Sequence, residues 1–211
     1  MTNSTEEWGD YVILMPIRVV PRKNIELGLR IIYELKKLVQ ERQVRLLITG
    51  PPDPQTMIRG ETYVDYLNKI IKKLGIENNV SLIHDLLSFR RIYDNNKIVK
   101  WGIADAYALA DLILITSKEE GFGLPVLEAG AARKPLFVSR IEPFEELLKE
   151  GIEAYMFGLR DKPADIAFKI FRYFLSDIIQ YKLNNVIVKY RWSAIVKEKV
   201  LPFLKDLIDA G

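Results

Sequence analysis

Two loops of this sequence combine charged side chains with backbone that a ligand can reach. The first, residues 16–24, carries Arg18, Arg22 and Lys23 immediately before an amphipathic stretch for which Asn24 is the predicted N-cap. Each cation beside a helix N-terminus costs roughly 0.3–1 kcal/mol, because the helix dipole is positive there. A bound anion with two or more charges would offset that cost. Taken alone, a solvated basic turn is the simpler explanation of this loop.

The second loop, residues 117–129, places two carboxylates around two glycines. Gly121 and Gly123 allow close approach of a ligand and leave the neighbouring amides free to donate to it. Glu120 and Glu128, eight positions apart, flank these amides and can border one cleft. Carboxylates accept hydrogen bonds from hydroxyls while amides hold anions, so the loop suits a nucleotide sugar. The predicted contact residues here are Glu120, Gly121, Phe122, Gly123, Leu124 and Glu128.

The rest of the chain predicts the elements that hold these loops. Short β-branched or leucine-rich runs alternate with amphipathic stretches, which predicts an α/β fold: a Rossmann-like, doubly wound parallel sheet of about six strands with helices on both faces. Both loops follow predicted strands, where open α/β sheets bind ligands. The predicted strands are 11–17, 45–50, 80–84, 111–116, 136–139 and 154–157, and the predicted helices are 24–40, 61–74, 124–132, 144–149, 164–183 and 193–208.

The amino-acid composition excludes several classes of protein. The 211 residues are 49% hydrophobic and 28% charged and contain no cysteine, which excludes a disordered chain and a disulfide-stapled secreted domain. A net charge of +3 gives no bulk electrostatic reason to expect a nucleic-acid or membrane partner. With one histidine and no cysteine, we predict neither a metal site nor a cofactor. The polar start predicts a cytoplasmic protein with a flexible segment 1–10 ahead of one domain, 11–211, and abundant Lys, Glu and Ile are typical of a thermophile.

The two loops together resemble a known family. Glu120-Gly-Phe-Gly-Leu-Pro-Val-Leu-Glu128 is similar to the Glu-x7-Glu signature of the group 1 retaining glycosyltransferases, and Arg18-x4-Lys23 is similar to their upstream basic motif. The order and spacing of the two motifs also agree with the family. The resemblance implies the C-terminal, donor-binding domain of a GT-B enzyme, in which two Rossmann-like domains face each other across a cleft.

This resemblance also implies roles for the residues. Arg18 and Lys23 would grip the diphosphate of a UDP-, GDP- or ADP-sugar and stabilise the leaving group, without a metal. Glu120 and the backbone of residues 122–124 would contact the donor sugar, Glu128 would contact the ribose hydroxyls, and Leu86 falls where the family contacts the base. The implied catalytic residues are Arg18, Lys23 and Glu120, and the implied reaction is transfer of a hexose with retention.

The resemblance and the departures from it can be compared with the structure or with experiment. The acceptor-binding domain is missing from this chain, so we expect it to bind a donor but to transfer little sugar by itself. A nucleotide-sugar-binding regulatory module or subunit without activity is the alternative. The sequence also departs from the family: Arg133 replaces the glycine that usually ends the Glu128 helix, which predicts a left-handed residue or a different helix end. Residues 88–101 form a longer and more basic link than the family has.

Overall fold

The computed structural model describes residues 10–39, 42–58 and 60–175. Its strands are β1 Tyr11–Met15, β2 Val44–Ile48, β3 Met57–Ile58, β4 Glu61–Thr62, β5 Val80–Leu82, β6 Leu87–Ser88, β7 Ile92–Asp94, β8 Lys97–Gly102, β9 Leu112–Ile115, β10 Leu136–Ser139 and β11 Tyr155–Phe157. Its α-helices are α1 Ile25–Leu38, α2 Tyr63–Leu74, α3 Ile103–Leu109, α4 Leu124–Ala131, α5 Glu142–Leu147 and α6 Pro163–Phe174. The predicted helix 193–208, the end of the predicted helix 164–183 and nearly all of segment 1–10 lie outside the described residues.

The main sheet has six parallel strands in the order β11-β10-β9-β1-β2-β5. These are the six predicted strands, so the predicted fold class is confirmed. Every residue of β9 and β10 is buried, because helices cover both faces of the central strands. The chain adds strands on one side of β1 as far as β5 and then returns to add β9 on the other side. The carboxyl ends of β1 and β9 therefore meet where the strand order reverses, which is where open α/β sheets form a binding crevice.

Helices form a layer on each side of the sheet. Helix α1 packs against both α2 and α6, and its buried residues include a stripe of Ile25, Leu29, Ile32 and Leu35. Right-handed crossovers put α3, α4 and α5 on the opposite face, because the direction of strand addition reverses after β5. The two loops of interest thus leave the sheet between two helical layers.

Two helix ends adopt left-handed backbone. Asn24, with φ of 50°, is the N-cap residue of α1 as predicted, although its side chain forms no capping hydrogen bond. Arg133 has φ of 56° just after α4, as its replacement of a glycine predicts. The amide of Lys134 bonds the carbonyl oxygen of Ala129 across this turn, which satisfies an end carbonyl of the helix.

The link between β5 and β9 has more structure than the sequence predicts. Strands β7 and β8 form an antiparallel hairpin that turns at Asn95 and Asn96, both left-handed, as tight hairpin turns require. Helix α3 follows directly and was not predicted. None of the helices in the described part of the chain combines the length and the apolarity that crossing a bilayer requires.

Candidate active site

The loops after β1 and β9 meet at the reversal point of the sheet and are joined there by a buried ion pair. The ammonium of Lys23 contacts the carboxylate of Glu120, and both side chains are only 7% exposed. The same oxygen, Oε1 of Glu120, accepts a hydrogen bond of 2.7 Å from Oγ of Ser117. Burial of two charges is favourable only when they are paired and further hydrogen-bonded, as here. We call residues 16–24 and 117–124 together the switch-point site.

The end of β2 holds the first loop in place. The amide of Gly50 bonds the carbonyl oxygen of Ile17 at 3.1 Å, and the amide of Val19 bonds the carbonyl oxygen of Pro51 at 3.2 Å. A methyl group at position 50 would lie 2.1 Å from that Ile17 oxygen, so the close approach requires glycine. At the other end of the loop, Oγ1 of Thr116 lies 2.9 Å from the carbonyl oxygen of Lys23. The first loop, which carries Lys23, is therefore held by the ends of both neighbouring strands, β2 and β9.

Backbone and side-chain bonds fix the second loop against the first. The amide of Lys118 donates to the carbonyl oxygen of Arg22 at 2.8 Å, and the Arg22 guanidinium donates to the carbonyl oxygen of Glu119 at 3.4 Å. From β10, the hydroxyl of Ser139 donates to the carbonyl oxygen of Ser117 at 2.5 Å. These bonds fix the distance between the two loops and therefore the width of the crevice between them.

The second loop offers a row of unused amide donors. Within residues 10–39, 42–58 and 60–175, the amides of residues 119–124 donate no hydrogen bond, whereas the Val126 amide closes the first turn of α4 on the carbonyl oxygen of Gly123. Gly123 has φ of 78°, and a methyl group there would lie 2.9 Å from the ring of Phe144. Phe122 and Leu124 project outward and are 60% exposed. Free amides at a helix N-terminus are a ready anion site.

The positive charge of the predicted basic loop is only partly neutralised by other described residues. Glu120 pairs with Lys23, so these two predicted site residues are brought together. Arg18 is exposed, and among the described residues its side chain makes neither a hydrogen bond nor an ion pair. An ammonium has three donors, and only one of those on Lys23 has a partner in the described structure, Glu120. Donors from both cations and from the amides thus remain for an anion.

Glu128 has a different partner, which the sequence did not reveal. Its Oε2 accepts a hydrogen bond of 2.6 Å from the hydroxyl of Tyr107, a buried residue of α3. Burial raises the pKa of Tyr107, and so does the bond to Glu128. The phenol therefore stays protonated and donates at any physiological pH. Tyr107 was missed because α3 was not predicted, although Asp105 at its third position, whose carboxylate accepts from the Gly102 amide at 2.9 Å, is a helix-start signal.

Leu86 lies apart from the switch-point site. It ends a 3-10 turn after β5 and is more than half exposed. Because β5 is two strands from β1, and neighbouring strands lie about 4.8 Å apart, Leu86 is on the order of 10 Å along the same edge of the sheet. It borders a cavity of about 590 Å³ whose walls are apolar apart from Asp105; they are formed by Leu47, Ile83, Leu86, Leu87, Trp101, Asp105, Ala106 and Leu109.

The architecture and this site define a class of protein. A doubly wound parallel sheet with free amides and cations at its reversal point is a Rossmann-like α/β domain. The sequence model described as "Glycosyl transferases group 1" matches residues 3–190. The chain belongs to this family of glycosyltransferases, and its fold is that of their C-terminal GT-B domain.

Relatives identified by sequence carry glycosyltransferase names. An uncharacterized glycosyltransferase of Methanocaldococcus jannaschii is 29% identical over 195 residues, which cover 90% of this chain and 43% of that protein. A D-inositol 3-phosphate glycosyltransferase of Catenulispora acidiphila is 26% identical over 156 residues, covering 74% of this chain and 33% of that protein. The chain thus spans less than half the length of these curated relatives.

Solved structures share the fold. The C-terminal domain of a group 1 glycosyltransferase, LpcC, from Francisella tularensis superposes with a TM-score of 0.64 at 19% identity, covering 86% of each chain. HepE of Anabaena, solved in complex with UDP, superposes with a TM-score of 0.66 at 21% identity, covering 93% of this chain and 49% of HepE.

Proposed function

We propose that the chain is the donor-binding half of a glycosyltransferase that transfers a hexose, with retention, from a nucleotide diphosphate sugar to an acceptor. The observation that carries this proposal is the juxtaposition, at the reversal point of the sheet, of Lys23 and exposed Arg18 with the free amides of residues 119–124. A diphosphate carries enough charge and enough acceptor oxygens to use both sets of donors.

Each predicted residue has a role in this proposal. When the bond between the sugar and the diphosphate breaks, negative charge develops on the leaving group, and Arg18 and Lys23 stabilise it. Glu120 and the backbone of residues 122–124 contact the sugar. Glu128, held by Tyr107, accepts from the ribose hydroxyls, and Leu86 contacts the base. These contacts follow the sheet edge from β9 through β1 to β5.

The binding test uses isothermal titration calorimetry with UDP, GDP, ADP and their common sugars. Because Lys23 and Glu120 are a buried pair, removal of one alone would leave an unpaired charge and cost about 3–5 kcal/mol of stability. We therefore replace both, as Lys23→Met with Glu120→Gln, and compare this variant with Lys37→Ala, which breaks the exposed Lys37–Glu34 pair on α1. Circular dichroism confirms folding of each variant.

The expected result is binding of at least one nucleotide by the wild type and by Lys37→Ala, and at least tenfold weaker binding by the double variant. If no nucleotide binds at millimolar concentration, the donor-site proposal is wrong. Affinity unchanged in the double variant would refute the assigned residues. The proposal also predicts little transfer by this chain alone, since the acceptor-binding half lies outside it; rapid turnover onto an added acceptor would contradict that prediction.

A further inference from the structure

The segment between β5 and α3 presents a concentration of exposed apolar side chains. We call residues 86–101 the link hairpin. Phe89, which connects β6 and β7, is 82% exposed, the highest value among the large exposed hydrophobic residues of the described chain. The other large apolar residues here that are at least about half exposed are Leu86, Ile92, Tyr93, Val99 and Trp101. Such a cluster on one projection marks an interaction surface rather than scattered surface residues.

The pairing of the hairpin explains why it cannot bury these side chains itself. Tyr93 pairs with Ile98 and Ile92 pairs with Lys100, with an irregularity between Ile92 and Tyr93. Val99 of β8 is therefore the extra, unpaired residue of a bulge, whereas Ile92 and Tyr93 are consecutive on β7 and lie on opposite faces of the ribbon. A two-stranded ribbon with apolar residues on both faces needs something outside itself to cover one of them.

The link hairpin is also the basic part of the molecule. It contains Arg90, Arg91, Lys97 and Lys100 against Asp94 alone, a net charge of +3. The whole chain has a net charge of +3, so the remaining residues sum to zero. Arg91 is engaged by the carboxylate of Asp105 in α3, with its Nε 2.8 Å from Oδ2. Arg90, Lys97 and Lys100 are exposed and can meet an external anion.

We propose that the link hairpin docks on the surface of a membrane that contains anionic lipids. Its cations complement the phosphates of the headgroups, while its aromatic rings suit the boundary between headgroups and acyl chains. The aliphatic Ile92 and Val99 decide against a nucleic acid as the partner, because aliphatic side chains gain from acyl chains but do not stack on bases.

The anchoring of the hairpin gives this docking a defined orientation. Asp105 holds both Arg91 and the Gly102 amide, which ties the base of β8 to α3. The link hairpin follows the carboxyl end of β5, on the edge of the sheet that carries the switch-point site. A docked hairpin therefore brings that edge toward the headgroups. The proposal does not depend on nucleotide binding, which is measured separately.

The test is flotation of the chain with lipid vesicles. One set of vesicles contains equal parts of phosphatidylcholine and phosphatidylglycerol, and the other contains phosphatidylcholine alone. The charge variant is Lys97→Glu with Lys100→Glu, and its matched control is Lys72→Glu with Lys73→Glu at the end of α2. The apolar variant is Phe89→Ser, and its control is Phe168→Ser, an exposed aromatic residue of α6.

We expect the wild type and both controls to float with the anionic vesicles, to be released by added salt, and not to float with phosphatidylcholine alone. The charge variant should bind at least about tenfold more weakly, since each basic residue near the surface adds to the attraction, and Phe89→Ser should also bind more weakly. No flotation of the wild type, or equal flotation of the hairpin variants and their controls, would overturn the proposal. Binding of the wild type to single-stranded DNA, but not to vesicles, would assign the link hairpin to a nucleic acid instead.

Discussion

Replacement of Tyr107 by phenylalanine isolates the role of one hydroxyl at the proposed ribose site. The variant removes the donor 2.6 Å from Oε2 of Glu128 and leaves the buried ring in place. If Tyr107 orients Glu128 toward the ribose, nucleotide affinity must fall. The loss must depend on the ribose hydroxyls and on nothing else in the ligand.

The magnitude follows from the surroundings of the two groups. A hydrogen bond to a charged group contributes about 1.5–3 kcal/mol when loss of the donor leaves the acceptor buried and unsatisfied. Glu128 is exposed, so water replaces the lost phenol and the effect is smaller. We expect about 1 kcal/mol, which corresponds to roughly fivefold weaker binding.

The assay is calorimetry with whichever of UDP, GDP and ADP binds most tightly and with its 2′,3′-dideoxy analogue. Tyr63 provides the control, because it is also buried and donates to a carboxylate, Glu26, at 2.8 Å, but between α1 and α2. Tyr107→Phe should weaken binding of the natural nucleotide and not of the analogue, while Tyr63→Phe should affect neither. Equal losses for the two ligands would refute the argument, since the effect would then be a general one on the fold.

Three further predictions concern stability and are measured by urea unfolding, with thermal unfolding for the melting temperature. Arg133→Gly should stabilise the chain by about 1 kcal/mol, a rise in melting temperature of roughly 2–4 °C, by relieving left-handed backbone; Arg133→Ala keeps the β-carbon and should bring no such gain. Gly123→Ala should destabilise by about 2–4 kcal/mol, because it combines a φ of 78° with a methyl carbon 2.9 Å from a buried ring; at Gly121 an added β-carbon meets nothing within 4 Å, and alanine there should cost much less. Hydrogen bonding to Arg91 lowers the pKa of Asp105 below its ordinary value of 3.8. The stabilisation that ionised Asp105 provides is therefore present above pH 3.8 and is lost as the pH falls through the lowered pKa. The stability of Asp105→Asn should depend less on pH in that range, and identical acid profiles of the variant and the wild type would contradict this role of Asp105.

The parts of the fold that could be predicted from sequence are those that local pattern determines. Strands such as β9, Leu-Ile-Leu-Ile, are buried on both faces and so read as continuous apolar runs. Helix α1 shows its buried stripe at three- and four-residue spacing. Helix α3 was missed because it has only seven residues and takes its start from a glycine with Asp105 three positions on. The hairpin ahead of it was missed because its apolar residues face outward, so alternation marks no buried face.

The candidate site was also predictable only in part. The charged and glycine residues of both loops could be named from sequence, since motif spacing identifies them. The pairing of Lys23 with Glu120 could not be predicted, because it depends on the distance between the ends of β1 and β9. Sequence reasoning assigned Lys23 and Glu120 to different parts of a ligand, whereas the structure shows them in contact with each other. The roles of Tyr107 and Ser117 could not be predicted either. Tyr107 is distant in sequence from its partner Glu128. Ser117 lies in the same loop as Glu120, but the spacing of that loop does not indicate the hydrogen bond between them.

The row of unused amides in residues 119–124 has a consequence for the exchange of backbone hydrogens with deuterium. An amide without a hydrogen-bond acceptor exchanges at close to the rate of an unfolded chain, whereas the flanking Lys118 and Val126 amides, which are both bonded, should be protected. A ligand held by this loop would slow exchange there while leaving the two flanking positions nearly unchanged. The site therefore contains its own reporter of occupancy, readable residue by residue and without an acceptor or a catalytic turnover.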